Sequence, residues 1–334
     1  MKVYKIRNGK GVLNNKGESL FDRDLETLVS NKIYVPNIAE LNDPMEGFVN
    51  DKSLIEFFEL IKSFSTDLLD KYCALKEKLS NSGIYSLTTD VGNELLWSYY
   101  GAGHGGFAIE YDLDKLKFCF NHNDFFKVFD FEVDYVTSVP ISDLSLLKKD
   151  KTNDFMKKYV GTKSKSWEHE KELRLIFEHS GLYEIDYRCV TAIYFGLRML
   201  DEEVDIIMKV LAGRDILYFK MNLDMNTYKL YPKQIEDRYK DSDKYVQHCV
   251  EYDIEKLIED NYLLPEQIDT YKKYFIQALE IIKYEPYIEK INIICVDYID
   301  GEPLLRIFAK VKTNLPPQRE YKFKINSEGS VYLV

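Results

Sequence analysis

Cysteine is scarce and scattered. Cys73, Cys119, Cys189, Cys249 and Cys295 are far apart, odd in number and form no C-x-x-C pair. That spacing argues against a disulfide framework or a zinc site, and it fits reduced, mostly buried thiols. Long hydrophobic runs are missing too: no stretch approaches the roughly 18 apolar residues of a membrane helix. The opening MKVYKIRNGKG has no apolar core of the signal-peptide kind. Positive charge is also in deficit. A net charge of −11 and a pI near 5.2 argue against a dominant electrostatic footprint on duplex DNA, while a local basic groove stays open. These absences predict a cytoplasmic protein with neither membrane nor duplex DNA among its partners.

What is present is ordinary globular material, with 45% hydrophobic and 30% charged residues in 334. That length predicts two domains on a prior of roughly 150 residues each. Aromatic content is the exception, at 14% with 26 Tyr. Tyrosine joins apolar area to a polar tip, so such a chain is expected to have amphipathic grooves. An AT-rich coding bias toward Tyr, Lys, Asn and Ile would give the same composition.

Two stretches hold residue types that a plain core does not require. In residues 84–112, Ile84, Tyr85 and Leu87 read as a strand. Asp90 or Asn93 can cap a short helix over 94–100, whose Leu95, Leu96, Tyr99 and Tyr100 fall at helical spacing. Gly101, Gly103, Gly105 and Gly106 then surround His104 in a turn that lets backbone approach closely before Phe107-Ala108-Ile109 resumes as a strand. In residues 163–177, Lys163, Lys165 and Trp167 lead into Glu168-His169-Glu170-Lys171-Glu172. A strand beginning early would put Glu168, Glu170 and Glu172 on one face. Their repulsion then needs an answer from a cation, a sugar hydroxyl or Arg174.

In chain order, residues 3–7 read as a first strand ending at Arg7, 22–31 as a helix and 32–35 as a second strand. Asn42-Asp43-Pro44-Met45-Glu46-Gly47 is a rigid turn that would hold Asp43 and Glu46 in place. Residues 51–79 are helical with a break near 65–67. Residues 125–136 alternate as a strand, 143–159 form a polar helix, and 181–195 hold a strand pair. Residues 201–212 form an amphipathic helix closed by Gly213, and 216–221 with 227–230 a hairpin. From 234 to 245 the chain is charged and poor in apolar residues, as in a linker or exposed helix. Helices are expected over 252–284, with Pro265 as a starter, then a three-strand meander over 291–334 turning at Asp300-Gly301 and at 326–329. The expected fold class is α+β: a mixed or antiparallel central sheet with flanking helices over residues 1–235, plus a small C-terminal α+β domain over 236–334.

Tyr4-Lys5-Ile6-Arg7, Leu41-Asn42-Asp43-Pro44-Met45-Glu46, Tyr85-Ser86-Leu87-Thr88, Leu96-Trp97-Ser98-Tyr99-Tyr100 with His104-Gly105-Gly106-Phe107, and Lys163 with Trp167-Glu168-His169-Glu170-Lys171-Glu172-Leu173-Arg174 occur in one order. Over residues 1–235 that order resembles the bacterial family called domain of unknown function 2971. The family's likeness to proteins found among bacterial immunity genes implies an anti-phage defence or toxin-like role.

A more distant resemblance brings a mechanism. Arg7, Ser86-Leu87-Thr88 and Glu170-Lys171-Glu172 are similar in order to the Arg, Ser-Thr-Ser and Glu-x-Glu elements of arginine-type ADP-ribosyltransferases, with Ser-Leu-Thr standing where the family has Ser-Thr-Ser. This implies NAD as substrate. Arg7 would hold the pyrophosphate, Ser86 and Thr88 would shape the nicotinamide side, Glu172 would stabilise the ribose hydroxyl as an oxocarbenium-like state forms, and Glu170 would orient the nucleophile.

Each candidate has a plain alternative. Arg7 could pair with Glu170 or Glu172 across the sheet. Trp97 and Tyr100 could stack a base or be core and groove wall. His104 could be a general acid or base or only a turn residue, and Lys163 with Lys165 could take phosphate or be solvated. The candidate set is therefore Glu172, Glu170 and His104 for catalysis, with Arg7, Ser86, Thr88, Trp97, Tyr100 and Lys163 binding a nucleotide or other small molecule, and no metal. Two other classes stay open. One is a metal-dependent nuclease using Asp43, Glu46, Glu168 and Glu170 with Lys171. The other is a non-enzymatic sensor whose cleft binds a nucleotide, a protein or a phage component.

Overall fold

Alternation in β1 (Lys2–Arg7) buries Val3 and Ile6 on opposite faces, and a strand apolar on both faces belongs inside a sheet. The computed structural model describes residues 1–62, 67–120, 128–142, 152–311 and 318–334. It divides into two units, the first ending at Asp243 and the second covering Lys244–Val334. Expectations for a strand from 125, a helix from 143 and a helix break at 65–66 lie in whole or part outside the described residues.

The first unit continues with α1 (Leu20–Val29), β2 (Lys32–Val35), α2 (Lys52–Leu60), α3 (Asp67–Ser80), β3 (Gly83–Thr88), α4 (Glu94–Tyr100), β4 (Phe107–Asp112) and α5 (Leu113–Phe118). After these come β5 (Phe129–Glu132), β6 (Asp134–Val136), α6 (Thr152–Val160), β7 (Thr162–Ser164), β8 (Glu172–Phe177), β9 (Gly181–Glu184) and β10 (Val190–Phe195). It closes with α7 (Asp201–Val210), β11 (Leu217–Leu223) and β12 (Leu230–Ile235). Eight strands form one mixed sheet in the order β12-β11-β10-β4-β1-β3-β8-β5. Within it β10 and β11 run parallel across α7, and β11 and β12 form a hairpin whose second arm is Leu230–Ile235 rather than the expected 227–230, so that residues 234–235 are strand.

Local sequence explains most of these elements. Ser19 caps α1 by accepting from the Asp22 N–H, and Asn93 caps α4 by accepting from Leu95 and Leu96. All six residues of β8 are buried, which suits its apolar Leu173, Leu175, Ile176 and Phe177 and requires that Glu172 and Arg174 find partners. The glycine turn after α4 packs on the end of β1: a Cβ at Gly106 would lie 2.0 Å from the Arg7 carbonyl oxygen. Gly106→Ala is therefore expected to lower stability by about 1–3 kcal/mol, read as a shift of the urea midpoint. An unmoved midpoint would mean that the turn can lift off β1 freely.

Several expectations are corrected. The strands within 181–195 do not pair with each other: β9 pairs with β2, and β10 lies between β4 and β11. Residues 236–239 are not a detached linker, because Arg238 bonds to Asp201 and Asp205 of α7 and the Tyr239 hydroxyl donates to Asp205. Of the cysteines, Cys119 and Cys189 are buried, while Cys73 and Cys249 are exposed, so burial is not general.

The second unit has α8 (Ile254–Asp260) and α9 (Pro265–Ile282), with Pro265 opening α9 as expected. Four strands follow rather than three: β13 (Ile288–Ile299), β14 (Glu302–Val311), β15 (Arg319–Ile325) and β16 (Val331–Leu333), all antiparallel neighbours in sequence. Asp300 and Gly301 both have positive φ, as a two-residue hairpin turn requires. Leu257, Phe275, Leu279, Ile294, Leu305 and Phe323 belong to the core between helices and sheet.

Candidate functional site

The site begins with a seam in the main sheet. β1 pairs with β4 from Lys2↔Asp112 to Arg7↔Phe107, whereas its register with β3 is held at Tyr4↔Thr88. Beyond that pair the Lys5 ammonium bridges to the Ser86 carbonyl oxygen at 2.7 Å. The opening is a cavity of about 540 Å³, walled by β1, the Arg23-Asp24 turn of α1, the 40–46 loop, β3, the end of α4, and Lys163, Glu170 and Glu172.

One wall carries a closed network of charge. Glu46, Glu170 and Glu172 meet Lys163 and Arg174, all buried or nearly so. Arg174 Nε lies 2.8 Å from Glu172 Oε1 and Nη2 3.0 Å from Oε2, while Nη1 and Nη2 reach the two oxygens of Glu46 at 2.8 and 2.5 Å. Nη1 also donates to the Val160 carbonyl at 2.6 Å, so the guanidinium fork is fully used. Lys163 Nζ sits 2.6 Å from Glu170 and 3.4 Å from Glu172. Three carboxylates against two cations leave one negative charge facing the cavity.

Electrostatics keeps Glu172 ionised. Burial by itself would raise the Glu172 carboxyl, but the charges of Arg174 and Lys163, with hydrogen bonds from Arg174 and Ser86, bring it down to about 2. Burial likewise opposes the Lys163 ammonium, and Glu172 and Glu170 override it and raise it. The Tyr100 hydroxyl donates to Glu170 Oε1 at 2.7 Å. Burial and the Glu170 charge push that phenol well above its ordinary value, so it stays a donor.

The local fold explains why Glu170 and Glu172 converge. Residues 165–170 form a 3-10 turn, not strand, and Lys171 takes a left-handed conformation (φ 44°) before β8 begins. The expectation of three carboxylates on one strand face is thus corrected: Glu170 and Glu172 are buried and Glu168 is exposed. Thr88 ties the turn down by donating from its hydroxyl to the Glu170 carbonyl oxygen at 2.7 Å.

The opposite wall is cationic. Arg7 Nε is 3.8 Å from Asp24 Oδ2 and has no hydrogen-bond partner among the described residues. Asp24 Oδ1 is occupied by Arg23, at 3.1 Å from Nε and 2.8 Å from Nη2. Burial would lower the Arg7 guanidinium, and Asp24 with the Tyr85 and Tyr111 hydroxyls holds it protonated. Arg7 does not pair with Glu170 or Glu172 across the sheet, because Lys163 and Arg174 already occupy them.

Of the nine candidate residues, Arg7, Ser86, Thr88, Tyr100, Lys163, Glu170 and Glu172 line this one cavity. Trp97 and His104 do not. Trp97 is fully buried beside Ile6, Leu96 and Tyr194 and donates its indole N–H to the Val91 carbonyl at 2.7 Å. His104 sits in the glycine turn at φ 72°, its Nε2 3.2 Å from the Ser98 hydroxyl. Burial, then the Arg198 charge, lowers its pKa. The Asp43, Glu46, Glu168 and Glu170 set does not gather either. Asp43 accepts from the Met45 N–H within its turn, and Glu46 and Glu170 are answered by Arg174 and Lys163. Among the described residues no group of three His, Cys, Asp or Glu side chains could hold a metal ion.

Lys5 and Asp24 are cavity residues that sequence reasoning passed over. Lys5 had a signal: it stands two residues before Arg7 on an alternating strand and so shares its face. Asp24 had none, since its role depends on how α1 packs against β1. Around the mouth Tyr99 is 59% exposed, and its ring lies 6.4 Å from Trp167 and 6.1 Å from His169.

A family model described as Protein of unknown function (DUF2971) matches residues 96–175. That span carries the Leu96–Tyr100 and His104–Phe107 motifs with Lys163, Glu170, Glu172 and Arg174, so it supports the resemblance from α4 into β8 and not over the β1, 41–46 and β3 motifs. No curated protein and no solved structure matches the chain.

Proposed function

We propose that the cavity binds NAD and breaks the glycosidic bond between its ribose and nicotinamide, as an NAD glycohydrolase or an ADP-ribosyltransferase. The observation that carries this reading is convergence: Arg7 on β1, Ser86 and Thr88 on β3, and Glu170 and Glu172 before and on β8 line a single cavity. In it Glu172 is held ionised and a cationic wall faces the carboxylates.

The chemistry follows from those charges. As the C1′–N bond breaks, nicotinamide leaves with the bonding pair as a neutral amide-bearing ring, and positive charge develops on the ribose. Glu172 is ionised, and its four lone-pair sites are met by Arg174 at Oε1 and Oε2, by Lys163 and by the Ser86 hydroxyl. Exchanging the Ser86 contact for a ribose hydroxyl would place negative charge against the oxocarbenium-like state. Glu170, held by Tyr100 and Lys163, orients water or an acceptor hydroxyl, whose oxygen forms the new bond to C1′ and whose proton passes to the carboxylate. Depletion of NAD or modification of a target suits a toxin-like or anti-phage defence protein, the setting the family resemblance implied.

A sensor without chemistry is the second reading, favoured by Tyr99 at the mouth, whose ring clusters with those of Trp167 and His169 into a stacking surface. One experiment separates the two. Purified protein is incubated with NAD, with and without cell lysate, and nicotinamide release is followed alongside the Glu172→Gln variant. Release by wild type, falling about 100-fold or more in Glu172→Gln with circular dichroism unchanged, supports the enzyme. No release in either condition and no thermal shift with NAD would discard NAD chemistry and leave the sensor.

A further inference from the structure

Lys5 has no role in the chemistry above, yet it faces the cavity from the middle of the sheet. Among the described residues it makes no ion pair; its Nζ donates to the Ser86 carbonyl oxygen and lies 5.0 Å from the centre of the Tyr85 ring. An ammonium has three N–H donors, so two remain. Arg7, on the same strand face, has an Nε without a hydrogen-bond partner among the described residues and an acidic neighbour 3.8 Å away. The third cation of this wall, Arg23, shares that same acid, Asp24. Lys5, Arg7 and Arg23 against Asp24 leave two positive charges when Lys5 is protonated, equal to the charge of a diphosphate diester.

The transferase resemblance already implies a pyrophosphate at Arg7; we propose that Lys5, on the same strand face, is a second cation of that subsite for the diphosphate of a dinucleotide or nucleoside diphosphate. The proposal rests on the reading of this cavity as the ligand site, and not on bond cleavage within it. Arg7 contributes a fixed charge and a fork of donors. Lys5 contributes a charge that depends on the ligand. In the free protein, burial and the neighbouring Arg7 charge bring its ammonium down to about 7, against the opposing pull of Glu172, Asp24 and Glu170. The Tyr85 ring and the Ser86 carbonyl complete its surroundings.

A diphosphate bound there favours the charged form and raises that value. The bound state then holds more protons than the free state, so binding takes up a proton when the free amine is neutral. Affinity weakens as pH rises above about 7, approaching about tenfold per pH unit. Below that value Lys5 is already charged and the dependence flattens.

The test is calorimetric titration of the intact protein with ADP-ribose, whose diphosphate diester does not titrate near neutrality, with adenosine as the phosphate-free control. Repeating the titration near pH ~8 in buffers of different ionisation enthalpy reads the protons taken up. Wild type is expected to take up close to one proton. Lys5→Met should lose that uptake and bind ADP-ribose about tenfold or more weakly, with adenosine unaffected. Lys5→Arg, whose charge is permanent, should keep the affinity and lose the pH dependence, which a merely structural lysine would not do. Wild type without proton uptake, Lys5→Met with unchanged uptake, or no ADP-ribose binding would each overturn the subsite. ADP-ribose binding with proton uptake but no nicotinamide release would sink the glycosidic reading and leave this one standing. Nicotinamide release indifferent to Lys5 would do the reverse.

Discussion

Replacing Arg174 with methionine is expected to destabilise the first unit by about 3–5 kcal/mol, because it strands two buried carboxylates rather than removing one contact. Arg174 has no exposed side-chain area and spends its donors on both oxygens of Glu172, both of Glu46 and the Val160 carbonyl. Lys163 remains, but its Nζ is already 2.6 Å from Glu170 and a compact ammonium cannot serve four further oxygens. For a unit of this size the melting temperature should fall by roughly 6–20 °C. Arg174→Lys should recover only part of the loss. Adding Glu46→Gln to Arg174→Met should recover some as well, since the stranded charge and not the missing packing is the main defect. A single Arg174→Met variant melting within a degree or two of wild type would show that the carboxylates find water or protons at little cost.

Acid should loosen the same wall. Glu172 is brought from the ordinary carboxyl value of 4.5 down to about 2, burial opposing and Arg174 and Lys163 prevailing. A depressed folded-state value means that its stabilisation is whole above about 4.5 and is lost as pH falls toward about 2. Linkage puts the loss at about 3 kcal/mol for this one group. Urea midpoints at a series of pH values check it: wild type should decline steeply below about pH 4.5, and Glu172→Gln should decline less over the same window. Parallel curves would assign acid sensitivity to other carboxylates.

Both predictions concern residues visible in the sequence, and that is instructive. Strands β1, β3, β4 and β8, a helix cap narrowed to Asp90 or Asn93, and the glycine turn could be read because alternation, capping chemistry and positive φ act over a few residues. The crowding of Glu170 and Glu172, and the need for Arg174 to answer it, could be read as well. The route by which they meet could not, because it runs through a 3-10 turn and a left-handed Lys171, a residue type with no preference for that conformation. Pairing across the molecule was the other blind spot. Nothing near Arg7 names Asp24, on a helix begun thirteen residues later, and nothing in residues 181–195 says that β9 should join β2. Trp97 and His104 misled for a simpler reason: residue types able to stack or move protons are equally at home in a core and a turn.

The seam between β1 and β3 sets a schedule as well as a shape. β1 is translated before its partners β3 and β4, which follow within the next hundred or so residues. Lys163, Glu170, Glu172 and Arg174, which furnish the far wall, are translated only after them, and Glu46 has no cation to meet until then. A nascent chain can therefore build half a sheet and still have no cavity. Assembly of the site this late delays the first complete cavity until most of this unit has been translated.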